Sequence, residues 1–219
     1  MTDLILYLHN DPTPPEGDTP SHPVLPMDDV LPAVSDLFNY DTDRDGAPGL
    51  VIAKGGNGPD GADDAKHQHW VTAPFSAALV IEGDASVKLW TAMKDFSAGL
   101  GGAVTVYLRD CYEWDYGWSC VGLGSDTVAT NPQAGSTWTL ETFSVSIGTY
   151  TIAPVHKLEL VVVVDASSDD DMWFAYDTND HKSRVTVSAS ASSLEGSEAV
   201  LPNLVTRWFV QTWARSLFA

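Results

Sequence analysis

The acidic segment DTDRDG, residues 41–46 of the 219-residue chain, has the composition of a cation-binding turn. Its alternating carboxylates belong to Asp41, Asp43 and Asp45. On a sharp turn, which Gly46 permits, these oxygens converge on one point and suit a hard cation such as Ca²⁺. An EF-hand loop would close with glutamate at position 52, which holds Ile52, so this is not an EF-hand. Further ligands would come from backbone carbonyls or from Asp177, Asp63 or Asp64. The segment predicts a structural Ca²⁺ site, with a solvated acidic turn as the alternative.

The two cysteines, Cys111 and Cys120, enclose a short segment with the look of a hairpin. Cysteines that face each other across such a hairpin can form a disulfide. A zinc site would need further cysteines or histidines, and the nearby sequence supplies none. We therefore predict a disulfide, and with it an oxidising compartment.

Four aromatic residues alternate with small or acidic residues between these cysteines: Tyr112, Trp114, Tyr116 and Trp118. If the segment were extended throughout, strict alternation would place all four rings on one face. Such a stripe can face the core, form a protein interface or stack on sugar rings. We take the four residues as a candidate ligand-binding surface, with the other two readings left open.

Motifs of the common catalytic classes are absent from the sequence. It contains no G-x-S-x-G elbow, no P-loop lysine and no H-E-x-x-H pair. His67 and His69 would share a face of a strand and could hold a metal together, but no third ligand is placed beside them, which favours ordinary surface histidines. The sequence therefore predicts a protein that is not an enzyme.

The elements that carry these residues have the periodicity of β-strands. In residues 104–109, apolar Val104, Val106 and Leu108 alternate with polar or amphipathic neighbours. About ten such segments, separated by turn residues, predict an all-β fold: an antiparallel jelly-roll sandwich. With 30 acidic against 11 basic residues, and a net charge of -19, a nucleic-acid partner is not expected. No apolar run is long enough for a transmembrane segment.

Composition divides the chain into four parts. Residues 1–31 form a strand and a Pro/Asp-rich N-terminal extended arm, 32–187 the jelly-roll domain, 188–198 a linker, and 199–219 a C-terminal amphipathic helix. The apolar face of that helix carries Val205, Trp208, Phe209, Trp213 and Leu217. We predict that this face docks on a partner subunit. Folding back on its own domain and binding a membrane surface are the alternatives.

Residues 6–12, 39–45, 89–96 and 172–178 resemble a β-jelly-roll module of bacterial extracellular surface proteins. That module is broadly similar to galactose-binding-like and carbohydrate-binding domains. The resemblance covers about residues 4–187 and leaves out the terminal helix. It implies a jelly roll, a structural calcium and a role in adhesion, sugar binding or assembly.

Together these features predict a non-catalytic structural subunit displayed on a particle or cell surface, such as a virion decoration or fibre protein or a surface filament. Its terminal segments would dock on protein subunits of the same assembly. The alternative is a calcium-dependent carbohydrate-binding or adhesion module, which would add glycans as ligands. The N-terminus lacks the features of a secretory signal, so we expect another route, such as lysis, to an extracellular or virion-surface location.

Overall fold

The computed structural model describes residues 2–9, 24–32, 50–59, 65–94, 100–114, 117–130 and 138–189. These residues form twelve strands and contain no helix. The strands are β1 (Thr2–Leu8), β2 (Leu25–Asp28), β3 (Leu50–Ile52), β4 (Lys54–Gly56), β5 (His67–Val71), β6 (Leu79–Met93), β7 (Gly102–Trp114), β8 (Gly117–Thr130), β9 (Thr139–Ile152), β10 (Lys157–Asp165), β11 (Met172–Ala175) and β12 (Arg184–Ala189). The all-β prediction is confirmed. The linker and the helix predicted for 188–198 and 199–219 lie outside the described residues, except for the end of β12.

The strands join into one mixed sheet rather than a purely antiparallel one. Its order is β3-β11-β6-β12-β1-β2-β5-β10-β7-β8, with β9 also paired to β6 and β4 to β10. The short strands β2 and β4 run parallel to β5 and β10, whereas the other pairs are antiparallel. The prediction of an antiparallel arrangement is therefore too simple. Apolar periodicity indicates that a segment is a strand but does not specify its direction relative to a neighbour.

One hydrophobic core joins both ends of this strand order. Trp70 of β5 and Tyr176, just after β11, are fully buried and meet edge to face with their ring centroids 5.3 Å apart. Strand β10 lies between β5 and β7 and is buried on both faces over residues 158–164. Its run LELVVVV is typical of an interior strand. In β7, Val104, Val106 and Leu108 all face the core, as their alternation predicts.

Strands β7 and β8 pair with each other, and only two residues of the sequence lie between them. Trp114 pairs with Gly117, Glu113 with Trp118, and Cys111 with Cys120. Side chains of directly paired residues lie on the same face of a sheet. The hairpin therefore fixes which side chains of its two strands can meet.

None of the described residues belongs to a helix that is long and apolar enough to cross a membrane.

Candidate functional site

A buried aspartate holds a histidine near the end of the hairpin at which β7 leads into β8. Asp110 of β7 is 5% exposed. Its Oδ1 lies 2.8 Å from Nδ1 of His156, and its Oδ2 accepts a hydrogen bond of 3.0 Å from the Tyr150 hydroxyl. Burial, together with the hydrogen bond to Asp110, raises the pKa of Tyr150, so the phenol stays protonated and keeps donating. Both carboxylate oxygens of Asp110 are thereby satisfied.

The turn before β10 positions His156. The Val155 amide donates to the Phe75 carbonyl at 2.8 Å, and the Phe75 amide donates to the His156 carbonyl at 2.9 Å. Val155 has φ = 65°, which is rare for a β-branched side chain and costs on the order of 1–3 kcal/mol. The side chain of Val155 is 60% exposed, so packing does not explain this conformation. The two backbone hydrogen bonds hold the strained turn that directs His156 toward Asp110.

The second ring nitrogen of His156 is available for chemistry. Its Nε2 makes no hydrogen bond to another described residue, and the side chain is partly exposed. The ring of Tyr112 lies against it, with the centroids 5.1 Å apart. Exposed Val121 extends the apolar surface, because it pairs with Asp110 across the hairpin. When Asp110 accepts Nδ1–H, Nε2 of the neutral ring keeps its lone pair and can accept a proton, as a general base does.

The opposite face of the same strands carries a buried ion cluster around Glu159 of β10. Oε1 of Glu159 lies 2.9 Å from His69 Nδ1, and Oε2 accepts a hydrogen bond of 2.6 Å from Arg109 Nε. Burial alone would raise the pKa of Glu159, but the contacts with His69 and Arg109 outweigh it and lower that pKa. Glu159 is therefore a buried carboxylate that stays ionised.

The predicted disulfide between Cys111 and Cys120 is present and borders this cluster. The two cysteines are directly opposed on β7 and β8, with Cα atoms 4.2 Å apart. Glu159 Oε2 lies 3.1 Å from Sγ of Cys111 and 3.8 Å from Sγ of Cys120. The sequence gives no local sign of Glu159 as a neighbour, because it comes from a different strand.

A third ionic contact involves Asp177, which the sequence suggests as a Ca²⁺ ligand. Its Oδ1 lies 2.7 Å from His9 Nδ1, while Nε2 of the same ring lies 3.0 Å from Asp28 Oδ1. Burial opposes a charge on His9, but Asp177 and Asp28 outweigh it and raise the pKa of His9 to about 9. The structure thus places a cationic histidine against Asp177. The other predicted ligands, Asp41, Asp43 and Asp45, lie outside the described residues, and Ca²⁺ binding stays a prediction.

The aromatic residues of the hairpin do not share one face. Tyr112 pairs with Ser119, and Trp118 pairs with Glu113, so Tyr112 and Trp118 point to opposite sides. Trp118 instead meets Lys157, whose Nζ lies 4.2 Å from the ring centroid. The expectation of a common face is wrong because the segment belongs to two paired strands, and the alternation along β7 does not continue on β8. Tyr116 and the side chain of Trp114 lie outside the described residues, and ligand binding by the four aromatics stays a prediction.

The apolar helix residues predicted to dock on a partner also lie outside the described residues: Val205, Trp208, Phe209, Trp213 and Leu217. Sequence reasoning did not find the Asp110–His156 pair. The two residues are 46 positions apart and meet only when β7 pairs with β10. No local sequence motif predicts the contact between Asp110 and His156.

No protein-family model and no curated protein matches the sequence. Solved structures do resemble it. An aminopeptidase from a marine sediment archaeon, Thaumarchaeota archaeon, gives a TM-score of 0.62 at 12% identity, over 87% of this chain and 37% of its own. A CocE/NonD family hydrolase from Staphylococcus aureus gives 0.52 at 10% identity, over 86% and 36%. An α-amino acid ester hydrolase gives 0.49 at 14% identity, over 64% and 28%. The chain spans between 28% and 37% of the length of these hydrolases.

These findings correct the functional expectations drawn from the sequence. The two solved structures named above with TM-scores above 0.5 are an aminopeptidase and a CocE/NonD family hydrolase, not carbohydrate-binding jelly-roll domains of surface proteins. The expected non-catalytic subunit of a virion or filament, and the alternative of a calcium-dependent adhesion module, are therefore not supported. The expectation that the chain is not an enzyme is overturned by the same likeness. At sequence identities of 10–12%, the similarity indicates a shared fold and not a shared activity, because one fold can carry many activities.

Proposed function

We propose that this chain is the β-unit of a hydrolase that cleaves ester or amide bonds, and that Asp110 and His156 form its proton-transfer pair. The observation that carries the proposal is the geometry of His156. A buried carboxylate engages Nδ1 at 2.8 Å, while Nε2 of this partly exposed side chain has no hydrogen-bond partner among the described residues. The hydrolases that share the fold support the choice of reaction class.

The proposed reaction follows from the two nitrogens of His156. Nε2 accepts a proton from a water molecule while the water oxygen attacks the carbonyl carbon of the substrate. The side chain of Asp110 accepts Nδ1–H and stabilises the imidazolium that forms. Nε2–H then donates its proton to the departing alcohol or amine, so that acid and leaving group are released and His156 returns to its neutral state. Tyr150 keeps Asp110 in place by donating to its second oxygen.

Hydrolysis assays of the full chain test this proposal. We expect turnover of p-nitrophenyl acetate and of L-alanine p-nitroanilide above the rate in buffer. General acid–base catalysis contributes about 10²–10⁴-fold, so the His156→Gln variant should lose roughly that factor. The matched control is His181→Gln, which alters a partly buried histidine whose ring lies against Trp90 and Trp138 rather than against Asp110.

The results of these assays support or overturn the proposed activity and the role of His156. A wild-type chain that hydrolyses neither substrate would overturn the proposed activity. Turnover that His156→Gln leaves unchanged would remove His156 from the reaction. Asp110→Asn should lower the rate as well, since an amide cannot stabilise the imidazolium as a carboxylate does. Circular dichroism of each variant will show whether its fold is intact.

We also propose a more detailed architecture for the chain. We infer that the sheet forms a jelly-roll sandwich over residues 32–187, followed by the linker at 188–198 and the amphipathic helix at 199–219. The core shared by distant strands supports the sandwich. The structural Ca²⁺ at Asp41, Asp43 and Asp45 and the extracellular location remain predictions. The disulfide is consistent with that location.

A further inference from the structure

The disulfide and the Glu159 cluster bring three metal-binding groups together on the face opposite His156. The two sulfurs and a carboxylate oxygen of Glu159 all lie within 4.8 Å of one another. While the sulfurs are bonded to each other they cannot act as thiolate ligands. Reduction would supply two thiolates beside a carboxylate that is already in place, and thiolates and carboxylates are both zinc ligands.

We infer that reduction of the Cys111–Cys120 disulfide opens a Zn²⁺ site formed by the two thiolates and Glu159. A thiol reductant supplies two electrons and two protons to the S–S bond and is itself oxidised to a disulfide. The Zn²⁺ ion then displaces the two thiol protons, which leave to solvent. The metal therefore binds the reduced chain and not the oxidised one. This site is independent of the proposed hydrolytic pair.

The charges of the cluster suit a divalent cation. Two thiolates and the Glu159 carboxylate carry three negative charges, and Zn²⁺ with the neighbouring Arg109 carries three positive ones. A buried site whose charges cancel avoids much of the desolvation cost of an isolated ion. Arg109 donates to Oε2 at 2.6 Å, so it must share that oxygen with the metal or shift aside.

The surroundings of Glu159 also suit a metal ligand. His69 engages Oε1 at 2.9 Å and thereby orients the carboxylate, as partners of zinc ligands commonly do. Cys111 is fully buried, but Cys120 is only half-buried. Next to Cys120 on the same face, a Cβ added at Gly122 would meet no other atom, so the metal has an open path from this side.

Metal binding by the full chain before and after reduction tests the inference. A phosphine reductant, which water converts to phosphine oxide as the disulfide opens, avoids adding a competing thiol. We expect the reduced chain to bind about one Co²⁺ with a thiolate-to-metal charge-transfer band that Zn²⁺ abolishes. The oxidised chain should show no such band. A reduced chain without the band would overturn the inference.

Variants separate a folded site from thiolates in an unfolded chain. Cys120→Ser should remove the band, and His69→Gln should weaken Zn²⁺ binding roughly 10- to 100-fold, because it removes the partner of Glu159 Oε1. The control is His67→Gln, which alters a histidine of the same strand that bonds the Gly58 carbonyl. Zn²⁺ affinity equal in the His69→Gln variant and the wild type would indicate binding to unstructured thiolates and would overturn the inference.

Discussion

The contact of His9 with Asp28 and Asp177 predicts a defined loss of stability at alkaline pH. His9 follows β1, Asp28 ends β2, and Asp177 lies just after β11, so one cation links three parts of the sheet. The pKa of His9 is about 9 in the folded chain, against 6.5 for the unperturbed side chain. Because the folded pKa is the higher one, the stabilisation is complete below about pH 6.5 and disappears as the pH rises through 9.

The size of this stabilisation follows from the two pKa values. Each unit of pKa corresponds to about 1.4 kcal/mol, so the full contribution in mildly acidic solution is about 3 kcal/mol. At pH 7 the contribution is about 2.5 kcal/mol, since the unfolded histidine is already mostly neutral there. At pH 10 histidine is neutral in both states and the contribution is close to zero. We therefore expect the advantage of the wild type over His9→Gln to shrink by about 2.5 kcal/mol between pH 7 and pH 10.

Urea denaturation, followed by tryptophan fluorescence at pH 7, 8, 9 and 10, measures this difference. Comparing the two chains at each pH cancels the titration of lysines and tyrosines that both share. The control is His181→Gln. Burial lowers the pKa of His181 despite the opposing charge of Asp180, so its contribution changes only in acid and should be flat from pH 7 to pH 10. A wild-type advantage over His9→Gln that stays constant across this range would refute the reasoning.

Three further results are expected. Val155→Asn should raise the free energy of unfolding by about 1 kcal/mol, because asparagine tolerates positive φ better than a β-branched residue. Urea denaturation tests this, with Val121→Asn as the control at an exposed strand position. A loss of stability in Val155→Asn would contradict the prediction. Glu159→Gln should lower that free energy by about 3–5 kcal/mol, since it breaks a buried ion pair with Arg109. Glu113→Gln, which breaks an exposed pair with Lys157, should cost less than about 1 kcal/mol. Equal losses in these two variants would argue against a charged Glu159. A chelator should lower the melting temperature if Asp41, Asp43 and Asp45 hold structural Ca²⁺, and an unchanged value would end that prediction.

The sequence predicts strands well where one face of the strand meets the core. Val104, Val106 and Leu108 alternate with polar neighbours and are buried, and the apolar run of β10 is an interior strand. The sequence does not predict the direction in which the strands pair. Strands β2 and β4 have only four and three residues, and they join their parallel partners through tertiary packing that periodicity does not encode.

For the candidate sites, too, the sequence predicts contacts within one hairpin better than contacts between distant segments. The disulfide could be predicted because its cysteines flank one hairpin. The predicted common face of the four aromatic residues is wrong for a related reason. Side chains alternate between faces along one strand, but this alternation does not carry over from β7 to β8. Asp110 with His156, and Glu159 with the disulfide, come from segments far apart in the chain, so only the pairing of β7 with β10 brings them together.

The pairing of β1 with β12 governs how this chain must assemble. Thr2 pairs with Ala189 and Leu6 with Val185, so β1 lacks its main neighbour after synthesis until β12 has been made. At ordinary rates of translation that delay is on the order of 10–40 s. Throughout it, the apolar residues of the segment TDLILYL are open to unwanted association. Closure of the sheet is therefore a late event of high contact order, and protection of the nascent chain by a chaperone is the natural safeguard.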